Sequence, residues 1–173
     1  RACAAALDLV ETLAALAALK PQQDQAGENV FAEMAMRIGV ATGNSIVGPC
    51  GSEQKFDYTC IGDSVNLAAR LESANKFYGT TILVSAATQE QSGGAFAFRP
   101  LGAVQVKGKR QAVLIYELLG RTETISAEQR AYADTFGGAV ELFRDRRWED
   151  ARTAFALCQR MLSDDPAGAA FEE

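Results

Sequence analysis

Apolar positions along this chain recur at two spacings, and the change from one to the other divides it into elements. Residues 1–20 carry Leu9, Leu13 and Leu16 at intervals of three and four, the pattern of an amphipathic helix packed on a domain. Pro21 and the polar residues 22–29 end that helix in a surface loop. Residues 36–41 then read as a strand, and Gly43, Gly48 and Gly51 punctuate a hairpin whose return strand covers residues 55–60, with Tyr58 and Cys60 on one face. Helical spacing returns over residues 65–76 through Leu67, Ala68, Leu71 and Ala74, opened by Gly62-Asp63-Ser64, in which Asp63 or Ser64 caps the first amides, and closed by Gly79. A buried strand over 80–85, a short helix over 86–91 and two strands over 96–106 and 112–118 follow, the last two flanking a turn at 107–111.

Beyond Gly120 strand signals cease. Residues 121–126 form a polar linker, and Phe136, Val140 and Phe143, then Trp148, Ala151, Phe155 and Leu162, mark two amphipathic helices joined near Arg146-Arg147, with Pro166 after the second. Strands interleaved with helices predict an α/β or α+β sandwich with a small helical appendage. The appendage resembles a tetratricopeptide-type hairpin; one such unit does not bury its own face, so it docks on the preceding domain or continues in further sequence.

Composition removes several function classes. The chain has 173 residues, 48% of them hydrophobic, which suffices for a packed core. Seventeen basic against 22 acidic residues give a net charge of −5 with no dense basic cluster, against nucleic-acid binding. The chain has no histidine, which excludes Ser-His-Asp and Cys-His nucleophilic machinery, and its four cysteines are too dispersed for a metal site, as in a reducing compartment. Asp8 and Glu11 interrupt the apolar residues near the start, so that segment neither spans a bilayer nor reads as a signal peptide. The chain reads as an excised piece of a longer protein.

The chemistry concentrates between residues 36 and 72. Asn66 and Arg70 stand four residues apart, about one helical turn, just past the Gly-Asp entry where backbone amides can meet an anion. An amide and a forked, permanently charged guanidinium on one face make a phosphate-facing pair. Asp63 is read as a helix cap rather than a metal ligand.

The run Gly62-Asp63-Ser64-Val65-Asn66-Leu67-Ala68-Ala69-Arg70 after Tyr58-Thr59, with Arg37-Ile38-Gly39, Gly48 to Gly51, Tyr78-Gly79 and Val106-Lys107-Gly108-Lys109, resembles the class III adenylate/guanylate cyclase catalytic domain. The resemblance covers residues 1–119, leaving 120–126 as linker and 127–173 as helical hairpin. It implies a ferredoxin-like α/β fold lacking its N-terminal part, with Asn66 and Arg70 as the transition-state residues. Thr59 then contacts the base and Lys107 the β- and γ-phosphates; Cys60 lies one position away from the base reader. The implied reaction converts ATP to cyclic AMP and pyrophosphate in a cytoplasmic head-to-tail homodimer whose subunits share each site. The implied cofactors are two Mg²⁺ or Mn²⁺ ions, whose aspartate ligands, with a base-contacting Lys, are expected upstream, so this segment alone is expected to be inactive. The alternative is a regulatory half that binds nucleotide or a partner cyclase without turnover; a weaker one makes the helical tail an interaction scaffold.

Overall fold

The computed structural model describes residues 1–19, 30–52, 55–105, 112–162, 165–169 and 171. Among the described residues six strands and six α-helices follow one another as α1 (Ala2–Ala18), a 3-10 turn (Val30–Glu33), β1 (Ile38–Val40), β2 (Ile46–Ser52), β3 (Lys55–Ile61), α2 (Asp63–Tyr78), β4 (Ile82–Ser85), α3 (Ala86–Gln91), β5 (Phe96–Gln105), β6 (Ala112–Arg121), α4 (Ala127–Arg144), α5 (Trp148–Met161) and the short α6 (Pro166–Ala169). The expected turn at 107–111, the loop at 22–29 and Lys107 lie outside the described residues.

Four strands form one sheet in the order β1-β4-β6-β5, with β1 and β4 parallel and the other pairings antiparallel. The parallel pair requires a crossover, which the β2–β3 hairpin and α2 supply. Side chains alternate across the sheet. Ile82, Val84 and Leu118 point to one face, where Cys3, Ala6 and Leu7 of α1 cover them; Leu83, Leu101 and Ile115 point to the other, against α2, α4 and α5. All four β4 residues are buried because both faces of the strand are covered.

The helix expected over residues 1–20 forms, but on a different face. Cys3, Ala6 and Leu7 are buried while Leu9 is 53% exposed. In an Ala-rich helix with Leu on several sides, spacing alone does not select the contacting side, and the small Cys3 and Ala6 allow close approach to the sheet. The appendage shifts similarly: Cys158 of α5 is fully buried, whereas Phe143 near the end of α4, Trp148 at the start of α5 and Leu162 just past it are at least 38% exposed. Phe143 and Trp148 instead meet edge to face at 5.2 Å.

The helical hairpin shares the core of the sheet. Phe136, Val140, Phe155 and Cys158 join Leu71, Leu83, Leu101 and Ile115 in one cluster. Phe171 stacks on Phe155 at 4.8 Å and lies edge-on to Phe136 at 5.9 Å. Ser126 and Gln129 form a reciprocal capping box that starts α4 immediately after the sheet.

Arg99 brings a charge into this core, 4% exposed. It lies opposite Glu117 between two register shifts in the β5–β6 ladder. Its Nε donates to Glu117 Oε2 at 2.8 Å, and Nη1 donates to Asp165 Oδ2 at 2.6 Å. The guanidinium also lies 4.8 Å from the Phe136 ring centre. Burial pushes Asp165 up, but hydrogen bonds from Arg99 and Tyr132, the Arg99 charge and the Gly168 amide outweigh it and hold the carboxyl below its ordinary value. For Glu117 burial wins over Arg99, and its carboxyl stands above the usual range.

Candidate active site

The β2–β3 hairpin projects as a separate two-stranded ribbon. Its register pairs Gly48 with Thr59 and Pro49 with Tyr58. Thr59 is exposed, and Tyr58 is 77% exposed. Gly62 alone separates the ribbon from α2, so Thr59 and the first turn of α2 are neighbours along the chain.

That junction is tightly seated. A side chain at Gly62 would meet the Asn44 carbonyl at 2.9 Å, and one at Gly43 would meet Ser64 Cβ at 2.9 Å. Ser64 Oγ donates to the Asn44 carbonyl at 3.1 Å. The residues between β1 and β2 therefore form the floor on which α2 begins.

Neither Asp63 nor Ser64 stands at the N-cap position itself. The N-cap is Gly62 without a side-chain bond, because the Ser64 hydroxyl is directed to Asn44 and Asp63 already lies within the first turn. At that position a carboxylate still complements the helix dipole.

Asn66 and Arg70 both lie on the exposed side of α2. The opposite side carries the buried Leu71 and Asn75. Two contacts set the helix against the sheet. Gly39 lies beneath α2 where a side chain would overlap the Ala68 carbonyl and the Glu72 amide, so glycine lets the helix cross β1 at this separation. Asn75, 1% exposed, donates from Nδ2 to the Ile38 carbonyl at 3.0 Å and accepts from Thr80 Oγ1 at 2.8 Å, tying the last turns of α2 to β1 and to the approach to β4. Sequence reading passed over both residues as positioning groups. Asn75 had one signal, a polar residue on the apolar side of α2, in step with Leu71.

Thr59, Asn66 and Arg70 are thus carried by adjoining elements, β3 and α2, on exposed surface; Lys107 lies outside the described residues. Among the described residues no three His, Cys, Asp or Glu side chains converge as metal ligands. None of the helices among them is long and apolar enough to cross a membrane.

Residues 2–120 match the family model described as the adenylate and guanylate cyclase catalytic domain. This chain belongs to that family. Among curated relatives of the cyclase domain, Adenylate cyclase 1 of Rhizobium meliloti (strain 1021) is 40% identical over 101 residues, which is 58% of this chain and 15% of that protein. The terminal-differentiation-specific adenylate cyclase of Dictyostelium discoideum is 32% identical over 139 residues, 78% of this chain and 6% of that protein. The cyclase domain here therefore spans a small part of each relative's length. A bacterial light-regulated adenylyl cyclase structure is similar, with a TM-score of 0.52 at 28% identity over 67% of this chain and 55% of that one. The mixed sheet with helices on both faces is the cyclase fold.

Proposed function

We propose that this chain supplies the transition-state half of an adenylate cyclase site that converts ATP to 3′,5′-cyclic AMP and pyrophosphate. The observation that carries the reading is the exposed face of α2, with Asn66 and Arg70 one turn apart directly after the strand bearing Thr59, in a chain of the cyclase family.

In that reaction the 3′-hydroxyl loses its proton and its oxygen attacks the α-phosphorus. A new P–O bond closes the ring, and the bond to the β-phosphate oxygen breaks to release pyrophosphate. Negative charge grows on the α-phosphoryl oxygens as the bonds exchange. Arg70 meets that charge with a fixed, forked cation whose strength persists at a desolvated site. Asn66, one turn nearer the helix start, bonds the ribose and holds the 3′-oxygen in line. Thr59 offers a hydroxyl to the adenine amino group and, as donor and acceptor alike, discriminates bases weakly. Lys107 meets the departing pyrophosphate as a point charge.

The site is completed at the interface of a head-to-tail homodimer in the cytoplasm, where ATP is. Support for a second copy comes from the ribbon, on which Ile46 and Val47 with Tyr58 and Ile61 are all more than half exposed. No step here passes through a divalent ion; two Mg²⁺ or Mn²⁺ ions would be held by aspartates of upstream sequence.

The test is cyclic nucleotide formation from ATP and from GTP, in Mn²⁺, by the protein at its full length and by Arg70→Ala. The expected result is ATP-selective turnover that falls about a hundredfold or more in the variant, the scale of a lost transition-state charge contact. Nucleotide binding without product from either substrate would replace this reading with the regulatory half.

A further inference from the structure

The segment after α5 touches two distant parts of the molecule within two residues. Asp165, its side chain 6% exposed, accepts from Arg99 Nη1 and from the Tyr132 hydroxyl, each at 2.6 Å, and from the Gly168 amide at 3.0 Å. Arg99 is held in turn by Glu117 across the β5–β6 ladder, which ties Asp165 to the middle of the sheet. The next residue, Pro166, lies against Gly79, the left-handed C-cap of α2 at φ +64°. A side chain on Gly79 would fall within the Pro166 ring. Ala167, wholly buried, and Phe171 continue the contact into the cluster that holds Leu67, Leu71, Ala74 and Tyr78 of α2.

We propose that Asp165 and Pro166 form an elbow that positions α2, so that the helical hairpin sets where Asn66 stands relative to Arg70, which lies at the pivot. This rests on the roles given to those two residues under Proposed function. The mechanics follow from the helix crossing β1 at Gly39, whose closest neighbours are Ala68, Leu71 and Glu72. That crossing is a fulcrum near residue 70. At 1.5 Å rise per residue, Gly79 lies about 14 Å to one side and Asn66 about 6 Å to the other. A 1 Å displacement at the elbow then carries Asn66 roughly 0.4 Å the opposite way, comparable to the tolerance of about 0.5 Å for a working constellation. Asp165 and Arg99 are positioning residues in this account; neither touches substrate.

The experiment compares Asp165→Asn and Pro166→Ala with Leu7→Ala, all in the protein at full length. Leu7 lies in the cluster on the opposite face of the sheet and controls for general destabilisation. Assays run well below the lowest melting temperature. The elbow variants are expected to lower kcat about tenfold with KM for ATP within about twofold, since small misplacement of transition-state groups is costly. Leu7→Ala should keep kcat near that of the unaltered protein. Equal kcat in the elbow variants and the control overturns the proposal. Absence of turnover in the unaltered protein would instead remove the assignment of Asn66 and Arg70. A distance measurement then decides the elbow on its own: spin labels at Lys76, exposed on the elbow side of the pivot, and at the exposed Gln91, with Cys50 and Cys60 replaced by serine. A shifted or broadened distribution in Asp165→Asn but not Leu7→Ala sustains the elbow; identical distributions overturn it.

Discussion

Gly39 makes a sharper demand on its position than its place in a three-residue strand implies. Gly39→Ala forces a methyl group into the backbone of α2, so helix and strand must separate. Overpacking of this kind costs typically about 1–3 kcal/mol, and here backbone rather than a flexible side chain must yield. The expected outcome is a lower denaturation midpoint together with a fall in turnover, because the helix that moves carries Asn66 and Arg70; unchanged turnover in folded protein would mean that β1 does not locate that helix. Asp165 makes a demand of another kind, on pH. Its folded carboxyl titrates below its ordinary value, so its stabilisation is complete above the unfolded value of about 3.9 and fades as pH falls below it. Glu117, raised by burial, has the opposite sign, so its stabilisation is lost as pH rises through its folded value. In a Glu117→Gln background the stability difference between Asp165 and Asp165→Asn should therefore be level above about pH 5 and shrink below about pH 4. Chemical denaturation across that range measures it, and a difference that grows on acidification would contradict the assignment.

At the scale of elements, local signals and distant ones were unequally readable. The short helix over 86–91 lies where it was expected, because Ser85 accepts from the Thr88 amide at its start and Gly93-Gly94 follow its end, all within a few residues. Helix α2 was likewise readable from Gly62 and Gly79, and with it the shared exposed face of Asn66 and Arg70. Strand β1 proved shorter than its β-rich composition implied, and β6 runs on to Arg121, into the expected linker, because Arg121 still pairs with Phe96. Arg99 gave no local sign of burial. Its carboxylate partners lie 18 and 66 residues away; the β5–β6 pairing brings the first opposite it, and the packing of the helical hairpin on the sheet brings the second. The same distance hid the face of α1, whose partners on β4 and β6 lie far along the chain.

For the whole molecule, the helical hairpin is inseparable from the cyclase sheet in its packing. Phe136, fully buried, lies between Arg99 and the aromatic pair Phe155–Phe171. Removing residues 127–173 would bare Leu83, Leu101 and Ile115 and strip Arg99 of Asp165 and Tyr132. Losing one partner of a buried ion pair alone costs about 3–5 kcal/mol, against a typical total stability of about 5–15 kcal/mol. The truncated chain should therefore lose its cooperative unfolding transition and bind a hydrophobic dye; a cooperative transition retained at the same midpoint would show that the sheet stands without the hairpin.

The placement of Phe171 also bears on synthesis. A ribosome releases the chain from its amino end, so both strands of the parallel β1–β4 pair, the crossover and even the candidate active-site helix are available before Phe171. Yet one face of the sheet lacks its aromatic cover, and Arg99 lacks Asp165, until the last few described residues have been made. That face stays open until Asp165 to Phe171 have been made, and the final packing of the site helix waits for their synthesis.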